Sequence, residues 1–128
     1  MIGLHEAVRS ARPLQGEVIV VKAGGELLEK ASWLDALAAD VAVLARLGVR
    51  VVVVHGGGPQ LDRRAASLGL ETRRVAGRRV TDPALIEAAV MEWRGRLSSL
   101  WVRALHRHGE RAIGLAGFDG ELVRAVRR

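Results

Sequence analysis

The chain predicts an α/β fold built on a mainly parallel sheet. Three observations carry this. Apolar runs of strand length, Glu17 to Ala23 and Val49 to Val54, alternate with stretches of helical periodicity. The run Val51 to Val54 consists of consecutive β-branched residues, the pattern of an interior strand in a parallel sheet. The order strand–helix–strand–helix then requires crossover connections, which join parallel rather than antiparallel neighbours.

Taken in order, Leu4, Ala7, Val8 and Ala11 recur at three- or four-residue spacing and predict a short amphipathic helix, ended by Pro13 and Gly16. Residues 1–16 thus form a helical extension ahead of the body at 17–128. The β-rich run from Glu17 ends at Gly24-Gly25. Leu34, Leu37, Val41 and Leu44 mark one face of the next helix, and Gly48 terminates it. After the second strand comes Gly56-Gly57-Gly58-Pro59, then a helix containing Leu61, Ala65 and Leu68. Residues 70–81 read as irregular, with short strand pieces. Asp82-Pro83 is a helix start, an N-cap acceptor followed by proline at the first helical position. Ile86, Val90, Trp93, Leu97 and Trp101 continue that helix's apolar face to about Leu105. Two further strands are expected, Arg111 to Leu115 and Leu122 to Val126, separated by a turn at Asp119-Gly120.

At 128 residues, 49% of them hydrophobic, the chain suits one globular domain with a real core. Its apolar runs are too short to cross a bilayer, and no secretory leader is visible at the N-terminus. Absence of cysteine excludes disulfides and thiolate metal sites and suits a cytoplasmic location. The net charge of +6 raises the question of nucleic acid. The basic residues are scattered apart from Arg73-Arg74, Arg78-Arg79 and Arg127-Arg128, and only one Phe and no Tyr, although three Trp, are available for stacking. Small anionic ligands, or simply an Arg-rich composition, are the better fit. His106 and His108 are two apart and share no helical face, so no metal site is expected.

The strongest chemical signal is His55-Gly56-Gly57-Gly58-Pro59 between a strand and a helix. Three consecutive glycines let the backbone approach a ligand, and their N–H groups with the helix N-terminus can hold phosphate or developing negative charge. A tight turn would need only one or two glycines. The spacing is neither a P-loop nor a dinucleotide fingerprint. A second signal is Lys22-Ala23-Gly24-Gly25. Lysine on an apolar strand must deliver its ammonium to the strand end or pair it. A fixed cation beside glycine loops suits phosphoryl transfer, whereas a lone lysine would read as a solvated strand end. The third is Gly77-Arg78-Arg79-Val80-Thr81-Asp82, where an arginine could hold a carboxylate through two parallel hydrogen bonds; without further context the pair would read as surface arginines.

In this order and spacing, together with Gly95 and Gly114-Leu115-Ala116-Gly117-Phe118-Asp119-Gly120, these segments resemble the amino acid kinase family, in its N-acetylglutamate kinase branch, from about Val18 onward. The resemblance implies a three-layer αβα sandwich, of which this chain holds the N-terminal, acyl-amino-acid-binding half. It implies Lys22 as the lysine contacting the transferring phosphoryl group. Gly24, Gly25 and Gly56 fall to the phosphoryl and nucleotide side, and Gly57, Gly58 and Arg79 (rather than Arg78) to the substrate. It further implies ATP with Mg2+ as co-substrate, a small acyl-amino-acid substrate, and a homo-oligomer to which the leading helix contributes; neither nucleic acid nor membrane is a partner. Family members are longer, and the rest of their chain supplies the nucleotide pocket and a second lysine, so this chain alone is expected to be inactive. Ala76, where the family often has Asn, Arg96 with Ser98 and Ser99, and Phe118 depart from the pattern and leave a related aminoadipate kinase as an alternative, and the lack of the nucleotide half leaves a non-catalytic amino-acid-binding or oligomerisation module as another.

Overall fold

The computed structural model describes residues 4–126, without the side chains of Leu4 and Ala7. Those two positions of the leading stripe, and Arg127-Arg128, therefore lie outside the described residues. Helix α1 spans Leu4–Ala11 and passes into a 3-10 turn, Arg12–Leu14, that carries Pro13. Gly16 follows at φ +83°, so the extension ends where proline and glycine predict. A groove separates α1 from the end of the next helix, and Val8 on its rim stays 49% exposed.

Strands β1 (Val18–Ala23) and β2 (Arg50–His55) pair in parallel, from Val18 opposite Arg50 to Ala23 opposite His55. Helix α2 (Ala31–Arg46) is the crossover between them. Alternation along each strand sends Ile19, Val21 and Ala23 to one face and Val18, Val20 and Lys22 to the other. The first face, with Val51 and Val53, packs on α2 and on helix α5 (Ser98–Arg107) around Leu34, Ala38, Val41, Trp101, Ala104 and Leu105. Where α2 and α5 run together, Asp35 accepts from Arg107 at 2.9 Å and lies 3.2 Å from His108 Nε2. The Arg107 hydrogen bond holds the Asp35 carboxyl below its ordinary pKa, against a smaller opposing effect of desolvation. The second face is open: Val18, Val20, Val52 and Val54 are each about half exposed. The β-branched run behaves as a strand as expected, yet among the described residues only one of its faces is covered.

Helix α3 (Gly58–Ser67) starts directly after β2 and buries Leu61 and Ala65 against Leu85, Ala88 and Ala89 of helix α4 (Pro83–Ala89). Leu68 is not part of that face; it lies at the helix end, 48% exposed. Asp82 caps α4 as its sequence predicts, its Oδ1 accepting from the Leu85 N–H at 2.8 Å.

Beyond Ala89 the helix widens into a π segment, Val90–Leu97, before continuing as α5. This corrects the expected apolar face. Ile86, Val90 and Trp93 are 39–52% exposed, while Leu85, Ala88, Leu97 and Trp101 are buried. Regular 3.6-residue spacing cannot join the two buried sets, because i→i+5 bonding adds residues to a turn and rotates everything downstream.

Between α3 and α4 lies a hairpin, β3 (Arg73–Val75) and β4 (Arg78–Val80). Its two turn residues, Ala76 and Gly77, both have positive φ, +48° and +75°. A two-residue hairpin of this kind favours Asn-Gly, because residues with a Cβ are strained in the left-handed region. Ala76→Gly or Ala76→Asn is therefore expected to stabilise the protein by about 1 kcal/mol. Equilibrium urea unfolding checks this, and an unchanged or lower midpoint would mean that the turn does not hold Ala76 left-handed.

Two predicted strands do not form. Arg111 to Leu115 and Leu122 to Val126 carry no ladder, with Ile113 81% and Val126 90% exposed. β-branched composition favours extended backbone, but a strand also needs a neighbour to receive its hydrogen bonds. The intervening turn does form: the Ala116 N–H donates to Asp119 Oδ2 at 2.7 Å, and Gly120 adopts φ +58°. The segment is held against α5 at Gly114, where a Cβ would lie 2.0 Å from Ser98 Oγ.

Candidate functional site

Parallel pairing brings the C-terminal ends of β1 and β2 side by side, so both glycine loops emerge at one end of the sheet. The Gly56 N–H donates to the Ala23 carbonyl at 2.9 Å and extends the ladder one step. Beyond it the loops touch. A Cβ on Gly25 would lie 3.1 Å from Gly57 Cα and 3.0 Å from Pro59 Cδ, so the approach there is close enough to exclude a side chain.

The five loop glycines divide by cause. Gly57 is enclosed by the long helix: a Cβ would sit 2.4 Å from Leu97 Cδ1 and 2.7 Å from Trp93 Cδ1. Trp93 Nε1 also donates to the Gly57 carbonyl at 3.0 Å. Gly25 and Gly57 thus have packing reasons to be glycine. Gly56 makes only ordinary contact, and Gly24 and Gly58 face open space. Gly58 and Gln60 place their N–H groups in the first turn of α3, ahead of its first internal bond, from Leu61 N–H to the Gly57 carbonyl. Pro59 between them has no N–H to offer. This turn can therefore receive an anion, aided by the helix dipole.

Lys22 is exposed on the uncovered face of the sheet, one residue from the end of β1 and opposite Val54. Among the described residues it makes no ion pair. Arg79 is brought to the same end from the hairpin. Alternation along β4 turns Arg79 inward, its side chain 14% exposed, and leaves Arg78 outside. Arg79 Nη2 donates to Asp62 Oδ1 at 2.5 Å and reaches the Gly58 carbonyl at 3.5 Å. Its Nε is buried and has no hydrogen-bond partner among the described residues. Asp62 also accepts from Arg74 at 2.8 Å. Two guanidinium groups on one carboxylate leave a net positive charge beside the glycine loop.

Sequence reasoning missed two residues here. Asp62 reads as a solvated helix position, but it anchors Arg79; its place four residues after Gly58, on the same helical face, was the available signal. Gln60 is 2% exposed, a polar residue in the first turn of a helix that faces the core. Its amide donates to the Gly25 carbonyl and to Glu29 Oε1, both at 2.6 Å. Arg96, its side chain about half exposed, pairs with the buried Glu92. No group of three His, Asp or Glu among the described residues is arranged to hold a metal ion.

The structure thus gathers Lys22, Gly24, Gly25, Gly56, Gly57, Gly58 and Arg79 at one end of the two-stranded sheet. Acetylglutamate kinase of Acinetobacter baumannii is 40% identical over 122 residues, which are 95% of this chain and 40% of that protein. Acetylglutamate kinase of Mycobacterium ulcerans is 40% identical over 98% of this chain and 43% of its own. The chain therefore spans about two fifths of the length of these relatives. Among solved structures, N-acetylglutamate synthase from Neisseria gonorrhoeae, complexed with coenzyme A and N-acetyl-glutamate, superimposes with a TM-score of 0.67 and 35% identity, over 80% of this chain and 24% of that one. The model of the amino acid kinase family matches residues 17–128, nearly the whole chain, and with the parallel sheet and its paired glycine loops this establishes that the chain belongs to the amino acid kinase family.

Proposed function

We propose that this chain is the acyl-amino-acid-binding part of an acetylglutamate kinase-like phosphotransferase, which moves the γ-phosphoryl of ATP to the side-chain carboxylate of N-acetyl-L-glutamate in arginine biosynthesis. The observation that carries the reading is the convergence, at one end of the sheet, of Lys22, two glycine loops and an inward arginine whose Nε has no partner among the described residues. The substrate carboxylate is itself the nucleophile, so no general base is required; positioning and charge neutralisation supply the catalysis. Lys22 faces the phosphoryl group, Gly24, Gly25 and Gly56 receive its oxygens, and Gly57, Gly58 and Arg79 take the acyl amino acid. Magnesium arrives with ATP. Cytoplasmic location and assembly through α1 belong to the same reading.

Arg79 and Arg78 provide the test. Arg79→Ala removes a charge-assisted contact to the substrate carboxylate, worth about 1.5–3 kcal/mol, and is expected to weaken N-acetyl-L-glutamate binding tenfold or more. Arg78→Ala is expected to change it less than about twofold, because an outward surface arginine makes no such contact. Calorimetric titration of both variants decides: equal losses would refute the assignment of Arg79, and an unmodified chain that ignores the ligand would refute the substrate.

A second reading has its own support. The synthase that superimposes on this chain is a different enzyme, so the same fold half serves more than one chemistry. In that reading the chain binds an N-acylated amino acid without transferring phosphate. N-acetyl-L-glutamate binding combined with no ATP turnover in a polypeptide carrying the entire kinase domain would favour it. Phe118, 61% exposed, bears on the choice between acetylglutamate and aminoadipate substrates, and competition between the two ligands measures that preference.

A further inference from the structure

We infer that Gln60 is a positioning residue that locks the loop after β1 onto the loop after β2 and so sets the gap in which the two reacting groups meet. The functional half of this inference rests on the reading proposed above; the structural half does not.

Gln60 lies in the first turn of α3, 2% exposed, and both hydrogens of its amide are used. One goes to the Gly25 carbonyl and the other to Glu29 Oε1, each at 2.6 Å. Gly25 and Glu29 are the first and last residues of the 3-10 turn that follows β1. A single side chain therefore grips both ends of that turn. Glu29 is held again by Arg63 Nη2 at 2.8 Å, three residues further along α3. The Glu29 carboxylate in turn raises the pKa of Arg63.

The orientation of the amide is determined by its surroundings. Reversed, it would set a carbonyl oxygen against the Gly25 carbonyl and the Glu29 carboxylate, both acceptors. The present orientation leaves Gln60 Oε1 buried, with no partner among the described residues. An unsatisfied buried acceptor costs about 1–3 kcal/mol, so an apolar residue here would avoid that cost. Leu61 beside it is apolar and fully buried. What an apolar residue cannot do is satisfy Gly25 and tether Glu29. The contact being tethered is the one between the two loops: a Cβ on Gly25 would meet Gln60 Oε1 at 2.9 Å and Gly57 Cα at 3.1 Å. Lys22 precedes this turn by three residues, and the N–H groups of Gly58 and Gln60 lie on the other side of the contact. The spacing of phosphoryl-side and substrate-side groups thus passes through one amide.

The test uses Gln60→Leu, which keeps the buried volume and removes both donors, and Glu29→Gln at a side chain 37% exposed, where substitution does not threaten the core. Affinity for N-acetyl-L-glutamate is measured by calorimetry at a temperature where unfolding curves show each variant folded. Amide resonances of Gly24, Gly25, Gly56 and Gly58 are followed by NMR. Gln60→Leu is expected to move those glycine resonances, leave those of Arg103 to Glu110 in place and weaken ligand binding about tenfold to a hundredfold, as misplacement of a reacting group does. Glu29→Gln is expected to act in the same direction more weakly, and the double variant to lose no more than Gln60→Leu alone, because both act through one tie. Unmoved glycine resonances, unchanged affinity in a folded Gln60→Leu, or additive losses would each overturn the inference. If the unmodified chain does not bind N-acetyl-L-glutamate, the substrate reading falls, while the glycine resonances still decide whether Gln60 holds the loops.

Discussion

In a polypeptide carrying the entire kinase domain, Lys22→Ala is expected to lower kcat about 10²–10³-fold while changing the KM for the acyl amino acid little. The transferring phosphoryl group carries spread negative charge, and removing one preorganised charge aimed at it costs a factor of this size. Three features of the structure support the role proposed for Lys22. It lies one residue from the end of β1. It points to the face that α2 and α5 leave uncovered. No carboxylate among the described residues neutralises it, so its full charge is available to a ligand. Lys22→Arg keeps the charge but changes its geometry, and intermediate activity is expected. Steady-state rates with ATP and N-acetyl-L-glutamate provide the check. A Lys22→Ala enzyme with unchanged kcat would make this residue an ordinary solvated strand-end lysine.

The second large effect is on stability and separates two adjacent glycines. Gly57→Ala places a methyl group 2.4 Å from Leu97 Cδ1 and within 2.8 Å of the Trp93 ring. Leu97 is fully buried and cannot yield toward solvent. Overpacking of this kind costs about 1–3 kcal/mol. Displacing Trp93 also endangers its hydrogen bond to the Gly57 carbonyl, worth about 0.5–1.5 kcal/mol. A total loss of about 2–4 kcal/mol is expected from the two together. Gly58→Ala, whose methyl would meet nothing, gains helix propensity of up to about 1 kcal/mol and is expected to leave the chain as stable or more so. If Gly58 serves a ligand's approach, that variant alone loses binding while keeping its fold. Urea unfolding of the pair measures the contrast, and equal midpoints would show that α3 and the π segment are not packed at Gly57 as described.

The conformational reason behind one departure from the family pattern is now visible. Ala76 sits at positive φ in a two-residue hairpin, where asparagine is the less strained residue. The departure bears on turn stability, and it does not touch the glycine loops. Arg96 is similar: its contact is the buried Glu92, inside the helix that also closes over Gly57. Neither substitution by itself argues for a different substrate.

Local sequence was enough wherever the cause was local. Pro13 and Gly16, Asp82-Pro83 and Asp119-Gly120 set backbone angles and caps within a few residues of themselves, and each does in the fold what its chemistry predicts. The preference for Arg79 over Arg78 came from the family resemblance alone; alternation along β4, which turns one of the two inward, became visible only in the hairpin. The ordering of strands and helices was enough for a parallel sheet, since crossover connections allow little else. Tertiary contact decided the rest. The register of the long helix changes across Val90–Leu97, so its buried face could not be read from one period. Arg111 to Leu115 and Leu122 to Val126 have strand composition but no partner, and hydrogen bonding between strands is a property of pairs. Gly24 and Gly57 look alike in sequence, yet one faces open space and the other is enclosed by Leu97 and Trp93 from nearly forty residues away. Asp62 and Gln60 acquire their roles only when the hairpin and the turn after β1 fold back onto α3. A residue's conformational preference is written in its own covalent structure, whereas its burial and its partners depend on chain segments that only folding brings near.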